Sequence, residues 1–213
     1  LAVAASLADQ FGETTYAAQC RQDRARAITS FRERFWYRTG GYLLDVVDGP
    51  IGDDASLRPN QIFALALDDQ LVTDSQAKQI LQLVRERLLT PVGLRTLAPE
   101  DIRFCASYEG SVSERDGAYH QGTVWPFLLG PFVTAWVKTY GDSAAVRREA
   151  RMFLDGLSEH IEDGCVGQVS EIFDGQLPHH PRGCVAEAWS VAEPLRALIE
   201  DVGIVREGVP ASS

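Results

Sequence analysis

One acid stands out because of the unusual segment that carries it, GCVGQVSEIFDG, at residues 164–175. The segment is too rich in glycine for a helix and too apolar for a solvated linker. Glu171 lies in its middle, between Ser170 and Ile172. Such a carboxylate can accept backbone N–H bonds as an ordinary loop acid, or it can act as an acid or base toward a substrate. The local sequence leaves both interpretations open.

Further polar and aromatic residues lie in or beside three long connections, at residues 38–57, 90–119 and 162–182. Each connection precedes the expected start of a buried helix, and long loops inside a compact domain are typically functional. In an alternating helical array all three emerge at one end. The side chains gathered there are Tyr42, Asp45, Asp48, Arg58, Asn60, Glu109, Asp116, Tyr119, His120, Trp125, Glu171, Asp174, Glu187 and Trp189. Aromatic faces stack on sugar rings, and acids and amides bind hydroxyl groups, so this set favours a carbohydrate cleft.

Two cysteines and two histidines raise the question of a metal site: Cys165, His179, His180 and Cys184. The segment has no Cys-x-x-Cys pair, which is the spacing that makes zinc sites specific, and its PHHP sequence is stiffened by proline. Both cysteines are equally explained as small apolar residues flanking a loop. We therefore expect no metal and no other cofactor.

The net charge of the chain limits the classes of partner that it is expected to bind. The 213 residues carry 30 acids and 20 bases, a net charge of −10, which argues against binding a polyanion such as nucleic acid. Four cysteines without close pairing favour a reducing compartment. The first residues, LAVAASLADQF, have no basic region before their apolar stretch and do not resemble a signal peptide. We expect a cytoplasmic protein without a membrane span, and the missing initiator Met suggests an excised piece of a longer chain.

Hydrophobic periodicity predicts an all-α chain, because three- and four-residue spacing recurs and strand-like alternation does not. The predicted helices cover about 13–37, 57 onward, 74–89, 120–140, 142–161 and 183–200. We expect Asp74 to cap the third of these and Asp142 or Ser143 to cap the fifth. The helix from His120 to Tyr140 is apolar on nearly every side and is expected to be buried.

The buried helices are spaced regularly along the chain. They are expected to begin near Arg58, His120 and Gly183, which are 62 and 63 residues apart. A more amphipathic helix lies between each pair, a pattern typical of a helical-hairpin array or toroid, although an irregular helical bundle also fits. We expect residues 1–213 to belong to a single domain.

The chain also resembles a known family in several ordered motifs: RPNQIFALAL, RDGAYHQGTVWPFLLGPF and SEIFDGQLPHHPRGCVAEAWSVAEPLRAL, with GGYLLDVVDG upstream. These resemble the C-terminal amylo-α-1,6-glucosidase domain of glycogen-debranching enzymes, from about Phe31 to Ile199. The resemblance implies an (α/α)6 toroid. Because only about seven helices are predicted here, against twelve in a closed toroid, the chain is expected to cover roughly its C-terminal half.

The resemblance further implies an inverting glucosidase, in which one carboxylic acid protonates the glycosidic oxygen and another carboxylate activates water. It assigns the base to Glu171. The family's acid is an Asp in a Trp-Met-Asp type segment, and no matching motif is present in this chain. We therefore expect that acid upstream and expect the isolated chain to be inactive.

The remaining motif residues are expected to bind the substrate, an α-glucan oligosaccharide or glycogen branch stub. They are Arg58, Asn60, Gln61, Tyr119, His120, Gln121, Trp125, Glu187 and Trp189. Other roles stay open: Arg58 and Asn60 could cap a helix, and the two tryptophans could pack in the core. Where this chain has Glu187, the family often has Gln.

Two other functions remain open at this stage. A half-toroid could bind an oligosaccharide without catalysis, or the chain could belong to a trehalase-like or glucoamylase-like enzyme acting on another α-glucoside. A truncated toroid would also expose the apolar faces of inner helices such as 120–140. We expect the missing half, or self-association, to cover them.

Overall fold

The computed structural model describes residues 1–163 and 167–203, and most of these residues are helical. The α-helices are α1 Ala2–Gln10, α2 Thr14–Arg34, α3 Phe63–Ala66, α4 Asp74–Arg87, α5 Val112–Ala118, α6 Leu129–Tyr140, α7 Ala144–Met152, α8 Asp155–Asp163 and α9 Ala188–Ala197. Short 3-10 turns precede α3 and α6, and a π-turn follows α9. Within the described ranges, every helix is too short or too polar to cross a membrane.

The chain is helix-rich, as predicted, but it also contains short β-strands that the prediction of an all-α chain missed. They are β1 Trp36–Tyr37, β2 Tyr42–Leu43, β3 Val46–Gly49, β4 Gly52–Asp54, β5 Leu89–Thr90, β6 Gly93–Arg95, β7 Val124–Trp125, β8 Ile172–Phe173 and β9 Pro181–Arg182. β1–β2 and β3–β4 form two hairpins, and β5 to β9 form an antiparallel sheet in chain order. Strands of two to four residues are too short for their alternation to appear in a sequence pattern.

Helix α6 lies at the centre of the helical layer. All eight residues from Leu129 to Trp136 are buried, and α3, α4, α7 and α9 pack around them. Phe132 is completely buried and contacts the rings of Trp136 and Phe153. The expectation that this helix presents an apolar face to water was therefore wrong, because neighbouring helices of the same chain cover it.

The buried helices begin later than the sequence predicts. The loop at His120 continues through Gly122, whose φ is +135°, then β7, then a 3-10 turn, and α6 starts only at Leu129. The last helix starts at Ala188 and not at Gly183, whose φ of +67° is left-handed and ends the preceding extended segment. The regular spacing seen in the sequence thus marks the loops that enter the buried helices.

Candidate functional site

Glu171 is held in place beside the last two strands of the five-stranded sheet. Glu171 directly precedes β8, which lies between β7 and β9. Its backbone N–H donates to the carbonyl oxygen of Cys184 at 2.9 Å. Nearby on the same two segments, the N–H of Glu187 donates to the carbonyl of Val169 at 3.0 Å. These two bonds align residues 169–171 with residues 184–187 and bring their side chains together.

The Glu171 carboxylate is half-buried and accepts two hydrogen bonds. The Tyr119 hydroxyl donates to its Oε1, and the backbone N–H of Cys184 donates to its Oε2 at 2.8 Å. Gly183 lies directly against Oε2, so a β-carbon at this position would overlap the carboxylate. The carboxylate is therefore fixed on both oxygens and packed against backbone, as an acid must be if it is to face one substrate atom.

Tyr119 and Cys184, which contact this carboxylate, and His120, which packs against Tyr119, are favoured in their neutral forms. Burial, together with the bond to Glu171, raises the pKa of Tyr119 well above its usual value, so its hydroxyl remains a donor at neutral pH. The negative charge of Glu171 raises the pKa of the Cys184 thiol as well. Burial, and to a smaller extent the charge of Arg58, lowers the pKa of His120, so this ring is favoured uncharged.

A cleft of about 240 Å³ lies next to Tyr119. It is lined by Arg58, Pro59, Asn60, Phe63, Thr96, His120, Trp125, Phe127, Leu128 and Trp189. Two aromatic pairs stack in its wall: His120 with Trp125 at 5.4 Å between ring centroids, and Phe127 with Trp189 at 4.9 Å. Trp189 is 47% exposed whereas Trp125 is 4% exposed. Trp189 thus offers an open ring face, and Trp125 supports the wall from behind.

Arg58 binds the surrounding loops. Its Nη1 donates to the carbonyl oxygens of Thr96 and His120 at 3.0 and 2.6 Å, and its Nη2 donates to Gln121 Oε1 at 2.8 Å. Its Nε lies 3.3 Å from a carboxylate oxygen of Asp45, and both side chains of this ion pair are almost buried. One guanidinium therefore joins three segments of the chain at the mouth of the cleft, around Asp45, Thr96 and His120.

The other two residues of the RPNQ motif differ in exposure. Asn60 is exposed, lines the cleft and donates from Nδ2 to Asp45 Oδ1 at 2.8 Å. Gln61 is only 6% exposed, does not line this cleft, and donates to the carbonyl of Arg58 at 2.9 Å. Its contacts support the fold of the RPNQ turn, while Asn60 remains available to a ligand.

Glu187 lies near Glu171 together with Cys184. One ligand atom from each of the three lies within 4.8 Å of the other two. Of the Cys and His residues weighed above as a metal set, Cys165 lies outside the described residues, and His179 Nδ1 is 2.8 Å from the carbonyl oxygen of Asp174. The structure thus groups Cys184 with two acids, and His179 with the backbone of its own loop.

Several residues around the site were not singled out from the sequence: Thr96, Tyr108, Phe127 and Arg182. Cys184 was considered only as a metal ligand and Gly183 only as the start of a helix, whereas both contact Glu171. Asp174, which was placed on the rim, is 3% exposed and accepts hydrogen bonds from the Tyr108 N–H and from Arg182. Gly183, which follows the PHHPR sequence, is a turn signal. The other positions have no distinguishing local sequence feature, because their contacts join distant segments.

Replacing Gly183 with Ala should displace the Glu171 carboxylate. The added methyl group overlaps Oε2, and the left-handed backbone is strained for alanine. We expect any catalytic turnover that depends on Glu171 to fall about 10- to 100-fold, because small displacements of a reacting group have effects of this size. Gly167→Ala is the matched control, since its φ of +82° carries the same backbone strain but no atom lies within 4 Å. Equal turnover in both variants would contradict the placement of Glu171.

Three comparisons with known proteins bear on this site. A family model described as amylo-alpha-1,6-glucosidase matches residues 1–196. A glycogen debranching enzyme of Saccharomyces cerevisiae is 33% identical over 90 residues, which are 39% of this chain and 6% of that protein. The structure of a neutral trehalase from Saccharomyces cerevisiae covers 85% of this chain with a TM-score of 0.60 and 16% identity. This chain covers 30% of the trehalase chain, and at that identity the likeness establishes a shared fold.

Proposed function

Because the chain belongs to the amylo-alpha-1,6-glucosidase family, we propose that it forms part of an inverting glycoside hydrolase that releases glucose from α-1,6 branch points of glycogen-like glucans. The helix-rich fold and its likeness to a trehalase support an (α/α)6 toroid, of which this chain would form the C-terminal part. The chain spans only 6% of the debranching enzyme and 30% of the trehalase, so the activity belongs to the longer protein.

The observation that carries this proposal is the fixed carboxylate of Glu171, whose partner Tyr119 packs against His120 and Trp125 in the wall of an aromatic cleft. As general base, Glu171 would accept a proton from a water molecule while the water oxygen attacks the anomeric carbon. The glycosidic C–O bond breaks, and its electron pair goes to the leaving oxygen, which receives a proton from a general acid. That acid would lie roughly 6.5–9.5 Å from Glu171, on a segment that we expect outside this chain.

The cleft supports an α-glucan as the substrate. The exposed face of Trp189 would stack on a sugar ring, and the Asn60 amide and the His120 ring would bind hydroxyl groups. Tyr119, Gln121 and Arg58 already bind protein groups, so their contribution would be to hold Glu171 and the loops in place.

The proposal also covers the location of the protein, its cofactors and its partners. We expect a cytoplasmic enzyme that needs no cofactor and binds neither nucleic acid nor membrane. Large apolar side chains stay exposed along α1, with Val3 71% and Leu7 49% accessible, and Phe11 just after it is 79% accessible. We expect the remainder of the protein, or self-association, to cover them.

Product analysis of the full-length protein tests the proposal. With isomaltose-type substrates we expect glucose release, and because the mechanism inverts, proton NMR should show β-glucose as the first anomer formed. Maltose-type substrates and trehalose should react more slowly, and residues 1–213 alone should release no glucose. Faster hydrolysis of trehalose, or α-glucose as the first product, would contradict the proposed reaction. Binding of glucan without hydrolysis would show a binding module.

A further inference from the structure

We propose that Glu187 is a positioning residue that holds the nucleophilic water together with Glu171. This inference rests on the proposed function, because it concerns the water that Glu171 would activate.

The orientation of Glu187 is the first argument. Glu187 is the N-cap residue of α9, a position from which a side-chain oxygen can accept a hydrogen bond from the first turn of the helix. Here the side chain makes no such bond. Its carboxylate is half-buried, and among the described residues no backbone or side-chain donor hydrogen-bonds to it. The carboxylate is thus directed toward Glu171 and Cys184 with its acceptor capacity unused.

The spacing of the two carboxylates is the second argument. An oxygen of Glu187 and an oxygen of Glu171 lie within 4.8 Å of each other. Two acceptors that each lie about 2.8 Å from the same water oxygen stand roughly 4.5 Å apart, because the two O–H bonds of water diverge. One water can therefore donate one hydrogen to each carboxylate, and its lone pairs then face away from both.

The neighbouring thiol supports this arrangement. Two facing carboxylates repel each other unless a hydrogen-bond donor lies between them. The charge of Glu171 raises the pKa of Cys184, so the thiol stays protonated at neutral pH and adds no third negative charge. The thiol and the backbone N–H of Cys184 both bond to Glu171, so neither is free for Glu187, and a water is the donor that both acids can share.

In the reaction, the two hydrogens of this water end on different atoms. As the water oxygen bonds to the anomeric carbon, the hydrogen directed at Glu171 transfers to its carboxylate. The second hydrogen stays on oxygen and becomes that of the new anomeric hydroxyl group, still bonded to Glu187. Glu187 is too close to Glu171 to be the general acid of an inverting enzyme, which needs roughly 6.5–9.5 Å of separation.

Substitution in the full-length protein tests this role, with glucose release from an isomaltose-type substrate as the assay. An interaction made only in the reaction step changes kcat and leaves KM alone. We expect Glu187→Ala to lower kcat about 30-fold with KM within about twofold of wild type, similar to the loss of one preorganised hydrogen-bonding group. Glu187→Gln should restore kcat to within about threefold of wild type, because its amide oxygen still accepts the water hydrogen.

The outcomes separate this inference from the proposed function. If the wild type releases no glucose, or Glu171→Gln stays active, the proposed function fails and the role of Glu187 fails with it. If Glu171→Gln is inactive but Glu187→Ala keeps the wild-type kcat, only the inference about Glu187 fails. A raised KM at unchanged kcat would instead show that Glu187 binds a sugar hydroxyl. Activity removed by EDTA and restored by Zn²⁺ would show that the two acids hold a cation, and would also overturn it.

Discussion

Replacing Glu171 with Gln in the full-length protein should abolish glucose release while leaving the fold intact. Glutamine keeps the shape of the side chain but cannot accept the proton of the attacking water. Removal of a general base typically costs about 10²- to 10⁴-fold in rate. The fold should survive, because the amide oxygen can accept from the Cys184 N–H and the amide NH2 can donate to the Tyr119 oxygen.

Two measurements on this variant separate catalysis from folding. The initial rate of glucose release should fall at least about 100-fold, and thermal unfolding should stay at the wild-type midpoint. Glu159→Gln is the matched control, because Glu159 is an exposed acid on α8. Glucose release by the Glu171 variant at the control rate would remove Glu171 from the mechanism.

Replacing Arg58 with Met should destabilise the protein and loosen the cleft. The substitution keeps the side-chain stem but leaves the almost buried Asp45 carboxylate without its ion pair, and two carbonyl oxygens lose a donor. Breaking such a mostly buried network typically costs about 2–4 kcal/mol of unfolding free energy. We also expect KM to rise, because the loops joined by Arg58 carry Asn60 and His120 into the cleft.

Arg34→Met provides the control for this second substitution. Arg34 also binds an aspartate, but its side chain is 49% exposed and that of Asp48 is 75% exposed. Exposed ion pairs contribute little, so we expect a change below about 0.5 kcal/mol. Urea denaturation followed by circular dichroism measures both variants. Equal midpoints for the Arg58 and Arg34 variants would show that Arg58 does not hold the loops together.

The sequence allowed the outer helices to be predicted well, because their amphipathic pattern is local. The helix predicted at 74–89 spans Asp74–Arg87, and the one predicted at 13–37 spans Thr14–Arg34. The cap of the next outer helix is Ser143, as expected, although the helix divides into α7 and α8. The cap of α4 is Thr73 and not Asp74, since Thr73 and Gln76 form a reciprocal capping box. Adjacent polar residues compete for a cap, and only backbone geometry decides between them.

The candidate site could be predicted only in part, because its contacts join distant segments. The motifs led to Glu171, Tyr119 and Glu187, and the structure places all three beside one another. The contact between Tyr119 and Glu171 spans 52 residues of sequence, and no periodicity encodes a pairing of that range. The same limit applies to the five-stranded sheet, whose two- and three-residue strands depend on neighbours far along the chain.

That sheet has a consequence for the order of folding. β6 ends at Arg95, β7 begins at Val124 and β8 begins at Ile172, so each pairing must close a long loop before it gains stability. The helical layer closes loops of similar length, since α3 ends at Ala66, α6 spans Leu129–Tyr140 and α9 begins at Ala188. We infer that Glu171 reaches its final position late in folding, when the sheet and the helical layer form together. A substrate that contacts both parts would therefore stabilise the folded protein.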